Sequence, residues 1–374
     1  MSVIYLDFNR TTPLAPSVME AMEPYWTTHF MLPGQEHVHA QAVAEALEHA
    51  REGLAMLAKC EPFEIVFTGG GTEANNLGIR GLLAKKTPGH ILVSELEHDS
   101  VLGATEFLAS EGWQVEMVPV DACGIVCPDR VADMIRDDTD LACIQLANPV
   151  LGTIQNIQAI ADQLHNRGVP IHCDATQAFG KIPVDVNALR VDTMSISGHK
   201  FYGPKGTGAL YVRRGLEITP ITFGEPREMG VRPGPENVPA YVGIGTAARL
   251  ASKCAEEAEA RLTELRERLV SGIRCALDPE PAILCEDSPT LPNTVAIEMP
   301  VEAKKVQKMA RQLVVATAQS SQPADELTRC LRAVGMNESR IARTMRFSLG
   351  WTTSQEQVDR AIDMITEACD SADW

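Results

Sequence analysis

From about residue 60 onward, short apolar runs alternate with stretches of helical period. The apolar runs are EIVFT (64–68), HILVS (90–94), VEMVPV (115–120), DLACIQLA (140–147) and PIHCDA (170–175). Between them lie TEANNLGIRGLLAKK (72–86), DSVLGATEFLASEG (99–112), PDRVADMIRD (128–137) and IQAIADQLHNRG (157–168). Strands covered on both faces read as continuous apolar runs, and strand–helix–strand repeats build parallel sheets. The pattern therefore predicts an α/β fold, a mainly parallel sheet flanked by helices. MSISG (194–198) and GALYVRR (208–214) extend the set of strands. A helical segment over 238–277, with the charged face AEEAEARLTELRERL, is long enough to join a large unit to a smaller one. Beyond it, strands at 293–299 and 344–350 mix with helices at 302–313 and 354–369, an α+β character. These elements predict a large domain over 13–250 and a small domain made from 1–12 and 251–374.

Composition narrows the class. The chain has 374 residues, 45% hydrophobic and 22% charged, the profile of a globular protein with more than one core. Its net charge of −17 repels phosphate backbones, so nucleic acid is not an expected partner. No basic amphipathic stretch or membrane-length apolar run is present, so no membrane partner is expected. The start, MSVIYLDFNRTTPLAP, lacks the basic and apolar regions of a signal peptide. Ten scattered cysteines then read as reduced thiols, and the expected location is cytoplasmic. Cys123 and Cys127 form the tightest pair, but no second pair or nearby histidine completes a metal site.

Four stretches carry candidate chemistry. In FTGGGTEANN (67–76), a strand ends, glycines follow and a helix begins. Free N–H groups at Gly70, Gly71 and Thr72 would hold an anion, although the stretch alone is equally a glycine-rich turn. In IHCDATQAFG (171–180), Asp174 ends an apolar strand, where ligands bind in open α/β sheets or where an aspartate caps a helix. His98 follows another strand in SELEHDSV (94–101). SISGHKFYGPKG (195–206) sets His199 and Lys200 among small residues, and a lysine withdrawn from water becomes a nucleophile. One cofactor uses all of these. Pyridoxal 5′-phosphate needs a Schiff-base lysine, an acid for its pyridine nitrogen, a phosphate cup and a group over the ring. Lys200, Asp174, the 70–72 turn with Ser197 and His199, and His98 supply them in that order.

The stretches EIVFTGGGTEANN, LEHDSV, HCDATQAFGKIPVDV, DTMSISGHKFYGPKGTGALYVRR, VRPGPENV, LRAVGM and RFSLG span nearly the whole chain. Together they resemble the cysteine desulfurases of the class V aminotransferase superfamily. The resemblance implies a fold-type I homodimer that binds pyridoxal phosphate and acts on an amino acid. By matching position, it implies that Lys200 forms the Schiff base and Asp174 pairs with the pyridine nitrogen. Gln177 would hydrogen-bond the ring hydroxyl oxygen. His98 would stack on the ring and move protons. Gly71, Thr72, Ser197 and His199 would hold the phosphate. Arg346 would clamp the substrate carboxylate, with Asn148 also on the substrate side.

The chain departs from the family pattern on that side. Counting back from LRAVGM, the sulfur-accepting cysteine falls on Ser320, in ATAQS (316–320). The nearest cysteine is Cys330, which reads as a core residue of a helix. An alcohol cannot carry a persulfide. Leu32 and Pro149 stand where the family has asparagines, GEP (224–226) replaces a glycine run, and Pro235 replaces a threonine that reaches the other subunit's cofactor phosphate. Arg10 replaces a small residue and could select a substrate with a second carboxylate. The expected function is desulfurase-like conversion of cysteine to alanine plus sulfur, with sulfur passed to an external acceptor protein. A β-lyase, decarboxylase, racemase or transaminase on the same scaffold stays open, as does a cofactor-binding protein that no longer turns over.

Overall fold

The computed structural model describes residues 3–318 and 325–372. Thirteen strands are present among them: β1 (Ile4–Tyr5), β2 (Ile65–Thr68), β3 (His90–Ser94), β4 (Gln114–Val118), β5 (Thr139–Cys143), β6 (Ile171–Asp174), β7 (Thr193–Ser197), β8 (Gly208–Val212), β9 (Ala282–Ile283), β10 (Thr294–Glu298), β11 (Leu313–Val314), β12 (Ala316–Thr317) and β13 (Thr344–Ser348). Seven of these form the central sheet in the order β2-β8-β7-β6-β5-β3-β4. Every pair is parallel except those made by β8. The apolar runs of β2, β3, β6 and β7 are buried along their whole length, as strands covered on both faces must be. Strand β4 is the largely exposed edge.

This topology decides where chemistry can occur. β8 runs against both β2 and β7, so β2, β3, β6 and β7 end at one edge of the sheet. Gly208, which begins β8, lies there too, paired with Ser197 and with Thr68. The segments that follow those strand ends, which carry the glycine turn, His98 and Lys200, are delivered to that edge together with Asp174.

A second, four-stranded antiparallel sheet has the order β12-β13-β10-β9. One hydrophobic core surrounds the central sheet, and another contains Ile4, Leu6, Val295, Phe347 and Ile365. The helix Val238–Ala276 serves both. Its first half buries Tyr241, Ile244 and Ala248 in the former, and its second half buries Leu265, Leu269 and Ile273 in the latter. No described helix is long and apolar enough to cross a membrane.

The helix expected over 302–313 is shorter, Ala303–Met309. Leu313 and Val314 are instead drawn into β11, which pairs in parallel with Ile4 and Tyr5 of β1. That contact spans most of the chain, so local periodicity carries no sign of it.

Candidate active site

The edge of the central sheet opens into a cavity of about 570 Å³, within the size range of small-molecule sites. Gly70, Gly71, Thr72, His98, Asp174, Gln177, Ser197, His199, Lys200, Arg346 and Arg10 all line it. Residues separated by up to 336 positions in sequence thus converge: most follow the strand ends of the central sheet, while Arg346 comes from the middle of β13 and Arg10 from the segment after β1.

Lys200 lies at the centre. Its Nζ donates to the carbonyl oxygens of Asn9 at 2.6 Å and Arg10 at 3.2 Å. Burial lowers the amine to about 8; Arg346 and Arg10 push the same way, while Glu326 and Asp174 oppose. A larger share of the amine is therefore neutral, and nucleophilic, near neutral pH than for an exposed lysine.

Asp174 is 5% exposed. Burial alone would raise its carboxyl, yet hydrogen bonds from Thr176 and Asn75 and the nearby His98 hold it below the usual aspartate range. The Thr176 amide donates to Oδ1 at 2.9 Å and Asn75 Nδ2 to Oδ2 at 2.8 Å. Asn75 also donates to Ser100 Oγ at 2.8 Å, and its Oδ1 faces His172 Nε2 at 2.9 Å. That Oδ1 can only accept, so His172 carries its proton on Nε2 and accepts from Thr193 Oγ1 at Nδ1, 2.8 Å away. A buried chain of neutral polar groups therefore orients one ionised carboxylate. Beside it, burial and the charge of Asp174 push the carboxyl of Glu97 well above the ordinary range.

His98 caps the helix Asp99–Ser110, with Nδ1 accepting from the Ser100 amide at 3.1 Å. Its Nε2 has no hydrogen-bond partner among the described residues and can exchange a proton with whatever occupies the cavity. The ring of His199 is lowered to about 4 by burial and by Lys200, so it is a neutral hydrogen-bonding group there.

The residues present fit pyridoxal 5′-phosphate. Gly70 at the start of the helix Gly71–Leu83 has φ +146° and offers no side-chain cap, which leaves backbone N–H groups for an anion. A Cβ on Gly71 would come within 2.8 Å of Thr176 Cγ2 and 3.2 Å of Ser197 Cβ, so glycine keeps that cradle open. Thr72 and Ser197 line the cavity beside the cradle, and the buried, ionised Asp174 could receive a protonated ring nitrogen.

Two of the residues expected from sequence need correction or comment. Asn148 does not line the cavity. Its Oδ1 accepts from the amides of Val150 and Leu151, both at 2.8 Å, and it faces the Cys330 thiol at 3.5 Å. It shapes a turn, and the neighbouring Pro149 reaches the cavity in its place. Ser320 lies outside the described residues. Cys330 is buried, as expected of a core residue, and burial pushes its thiol up to about 12.

The structure also adds residues that sequence reasoning missed. Asn9 is a hub. Its carbonyl receives Lys200 and, at 3.0 Å, Gln177 Nε2; its Oδ1 receives Lys181 Nζ at 2.8 Å; its Nδ2 donates to Pro149 O and Thr294 Oγ1. Lys181 also donates to Gln177 Oε1 at 2.9 Å. Burial, Lys200 and Arg346 hold this second lysine well below its ordinary pKa. The only local signal for these groups was their place within motifs already quoted, FNRTTP for Asn9 and AFGK for Lys181.

The family model described as Aminotransferase class-V matches residues 4–361. A cysteine desulfurase IscS of Methanosarcina thermophila is 37% identical over 374 residues, covering 97% of this chain and 91% of that protein. A cysteine desulfurase of a Nostoc species is 36% identical over 372 residues, covering 98% and 93%. Among solved structures, a NifS-like protein superposes with a TM-score of 0.92 at 30% identity, covering 99% of this chain and all of that one. A structure described as SspA in complex with cysteine gives 0.82 at 33%, covering 92% and 98%.

Proposed function

The chain belongs to the class V aminotransferase family, in its cysteine desulfurase group, and we propose that it breaks the carbon–sulfur bond of L-cysteine to leave alanine. Enzymes of this family depend on pyridoxal 5′-phosphate, and the cofactor, when bound, supplies an electron sink for charge developing at the substrate's α-carbon. The observation that carries the reading is the single cavity holding a partly neutral Lys200, the ionised Asp174 and the guanidinium of Arg346.

Each side chain has a task that follows from its setting. Lys200 presents its amine from between two backbone carbonyls and can take or return a proton at Nζ. Asp174 stays charged, is fixed by Thr176 and Asn75, and would pair with the pyridine nitrogen of the cofactor. The cradle at Gly71, Thr72 and Ser197 anchors a phosphate, and His199 contributes a neutral ring there. Gln177, held by Asn9 and Lys181, is positioned for the ring hydroxyl oxygen. His98 Nε2 handles a second proton. Arg346 receives the substrate carboxylate.

The sulfur must go to something outside the described residues. None of them places a thiol in the cavity, Ser320 is an alcohol, and the Cys330 thiol is buried and protonated. We therefore assign the acceptor role to an external thiol. Its thiolate forms the S–S bond as the Cβ–S bond breaks, and the electron pair, with a proton, stays on Cβ to give alanine. All ten cysteines are unbridged, which supports a reducing, cytoplasmic setting, and we propose a homodimer as the working assembly.

Product analysis tests this. Holoenzyme given L-cysteine and a small thiol should form alanine and a persulfide of the thiol in equal amounts. Pyruvate in place of alanine would make the protein a β-lyase. Neither product would overturn carbon–sulfur cleavage altogether.

A further inference from the structure

We propose that Arg10 lets this cavity hold, besides L-cysteine, an amino acid that carries a second carboxylate, either on its own side chain or on a substituent of sulfur. The proposal rests on the reading of the cavity as an amino-acid site and adds the class of amino acid.

Two guanidinium groups line the cavity, and they are in different states. Arg346 is buried and already engaged. Its Nη2 pairs with Asp7 Oδ1, and its Nη1 donates to Pro149 O at 3.1 Å. Its Nε is buried without a partner, while Nη1 and Nη2 each keep a second N–H. Those two donors suffice for one α-carboxylate. Arg10 is exposed and lines the same cavity, and its guanidinium has no hydrogen-bond or ion-pair partner among the described residues. Its backbone carbonyl accepts from Lys200 Nζ, so the side chain departs from a point one residue away from the reacting amine. A substrate attached there has its side chain within reach of Arg10.

The remaining charges favour an anion on that wall. Arg346 and the charged fraction of Lys200 already make this side of the cavity cationic, and an unpaired Arg10 adds to the repulsion. The acids of the cavity stand elsewhere. Asp174 is held by Asn75 and Thr176. Asp99 pairs with Arg329 at 2.5 Å. Asp325 caps the helix Glu326–Ala333. Glu326 has no such partner among the described residues, and its charge turns a second carboxylate away from that helix and towards Arg10. A planar guanidinium binds a carboxylate by paired N–H donors, a preference an uncharged amide does not share.

The test compares acids with amides of the same shape, read from the visible band of the bound cofactor. The holoenzyme is titrated with L-aspartate against L-asparagine, and with S-carboxymethyl-L-cysteine against S-carbamidomethyl-L-cysteine. In at least one pair the acid should bind about tenfold more tightly, a preference that weakens as salt rises. The pair that shows it identifies where the carboxylate is carried. Arg10→Ala should bring the ratio to about one, and Arg10→Lys should keep part of it. An acid-to-amide ratio that Arg10→Ala leaves unchanged, or that is already one in the unmodified protein, overturns the proposal. A band that shifts with no amino acid at all, L-cysteine and L-alanine included, would instead remove the amino-acid reading of the cavity, and this proposal with it.

Discussion

His172 never touches the cavity, yet it governs how the site responds to acid. Full burial lowers its ring to about 4, although Asp174 opposes that shift. In the unfolded chain the same ring titrates near 6.5. Between those values the unfolded state binds the extra proton and the folded state does not. The contribution of His172 to stability therefore falls as pH drops from about 6.5 towards 4, while the raised carboxyl of Glu97 works in the opposite direction. His199 shifts in the same direction and adds to the slope. Asp174 has a folded pKa below its ordinary value, so its contribution is lost only at lower pH, as that carboxylate takes a proton. Denaturant unfolding at a series of pH values, in the protein and in a His172 variant side by side, should show the histidine's share of the pH dependence between 6.5 and 4. His172→Gln should make it shallower, because glutamine can occupy part of the same hydrogen-bond chain without titrating. A profile equally steep in that variant would mean that His172 is not the group responsible. In mechanism, the expected consequence is that acid loosens the support of Asp174 before it neutralises Asp174 itself.

Helix Glu326–Ala333 shows what one element can and cannot contribute. Its inward face is Leu327, Cys330 and Leu331, all buried, while Asp325 and Glu326 at its start reach the cavity. Cys330 therefore packs and does not react. Cys330→Ala should leave the rate of alanine formation within about twofold and cost on the order of 1–2 kcal/mol of stability from the small cavity it creates. A loss of turnover well beyond twofold, without unfolding, would restore this thiol as a sulfur carrier. The same helix marks the limit of what the sequence reveals. Lys200, Asp174, His98 and the 70–72 turn were legible because each follows or ends an apolar strand, and parallel strands deliver such junctions to one edge. Asn9 and Lys181 were not, since Asn9 binds groups far away in sequence, Lys181 among them, and the turn that Asn148 makes with Val150 and Leu151 is local but was hidden by its place in a substrate-side motif. Asn9 reaches Pro149 and Thr294, and Asn148 is turned towards Cys330. Gly78 is a further case. A Cβ there would stand 2.7 Å from His172 Nδ1, a close approach that a glycine within a helical period does not announce.

At the scale of the whole molecule, the question is what covers its apolar surface. Met19, Trp26, Phe30 and Val38 are each at least 60% exposed, and Phe223 is 96% exposed. The segments that carry them meet, because Arg227 Nη1 donates to Pro33 O at 3.3 Å. The second segment also reaches the site: Arg232 pairs at 2.9 Å with Glu73, in the first turn of the helix whose start forms the phosphate cradle. Large exposed aromatic side chains at such a place are what the proposed assembly would bury. A second copy is the occupant that the proposed homodimer supplies, although a net charge of −17 on each chain opposes its approach. Apolar burial must outweigh that repulsion, and added salt should favour association by screening it. Light scattering should accordingly give twice the 40.6 kDa chain mass, with the dimer persisting to lower concentration as salt rises. Trp26→Glu combined with Phe30→Glu should yield a folded monomer. Because the interface adjoins the cradle, that monomer should lose pyridoxal phosphate on dialysis at least tenfold faster than the dimer does. A variant that stays dimeric would place the interface elsewhere. A monomer that keeps its cofactor as long as the dimer would show that each chain completes its phosphate site alone.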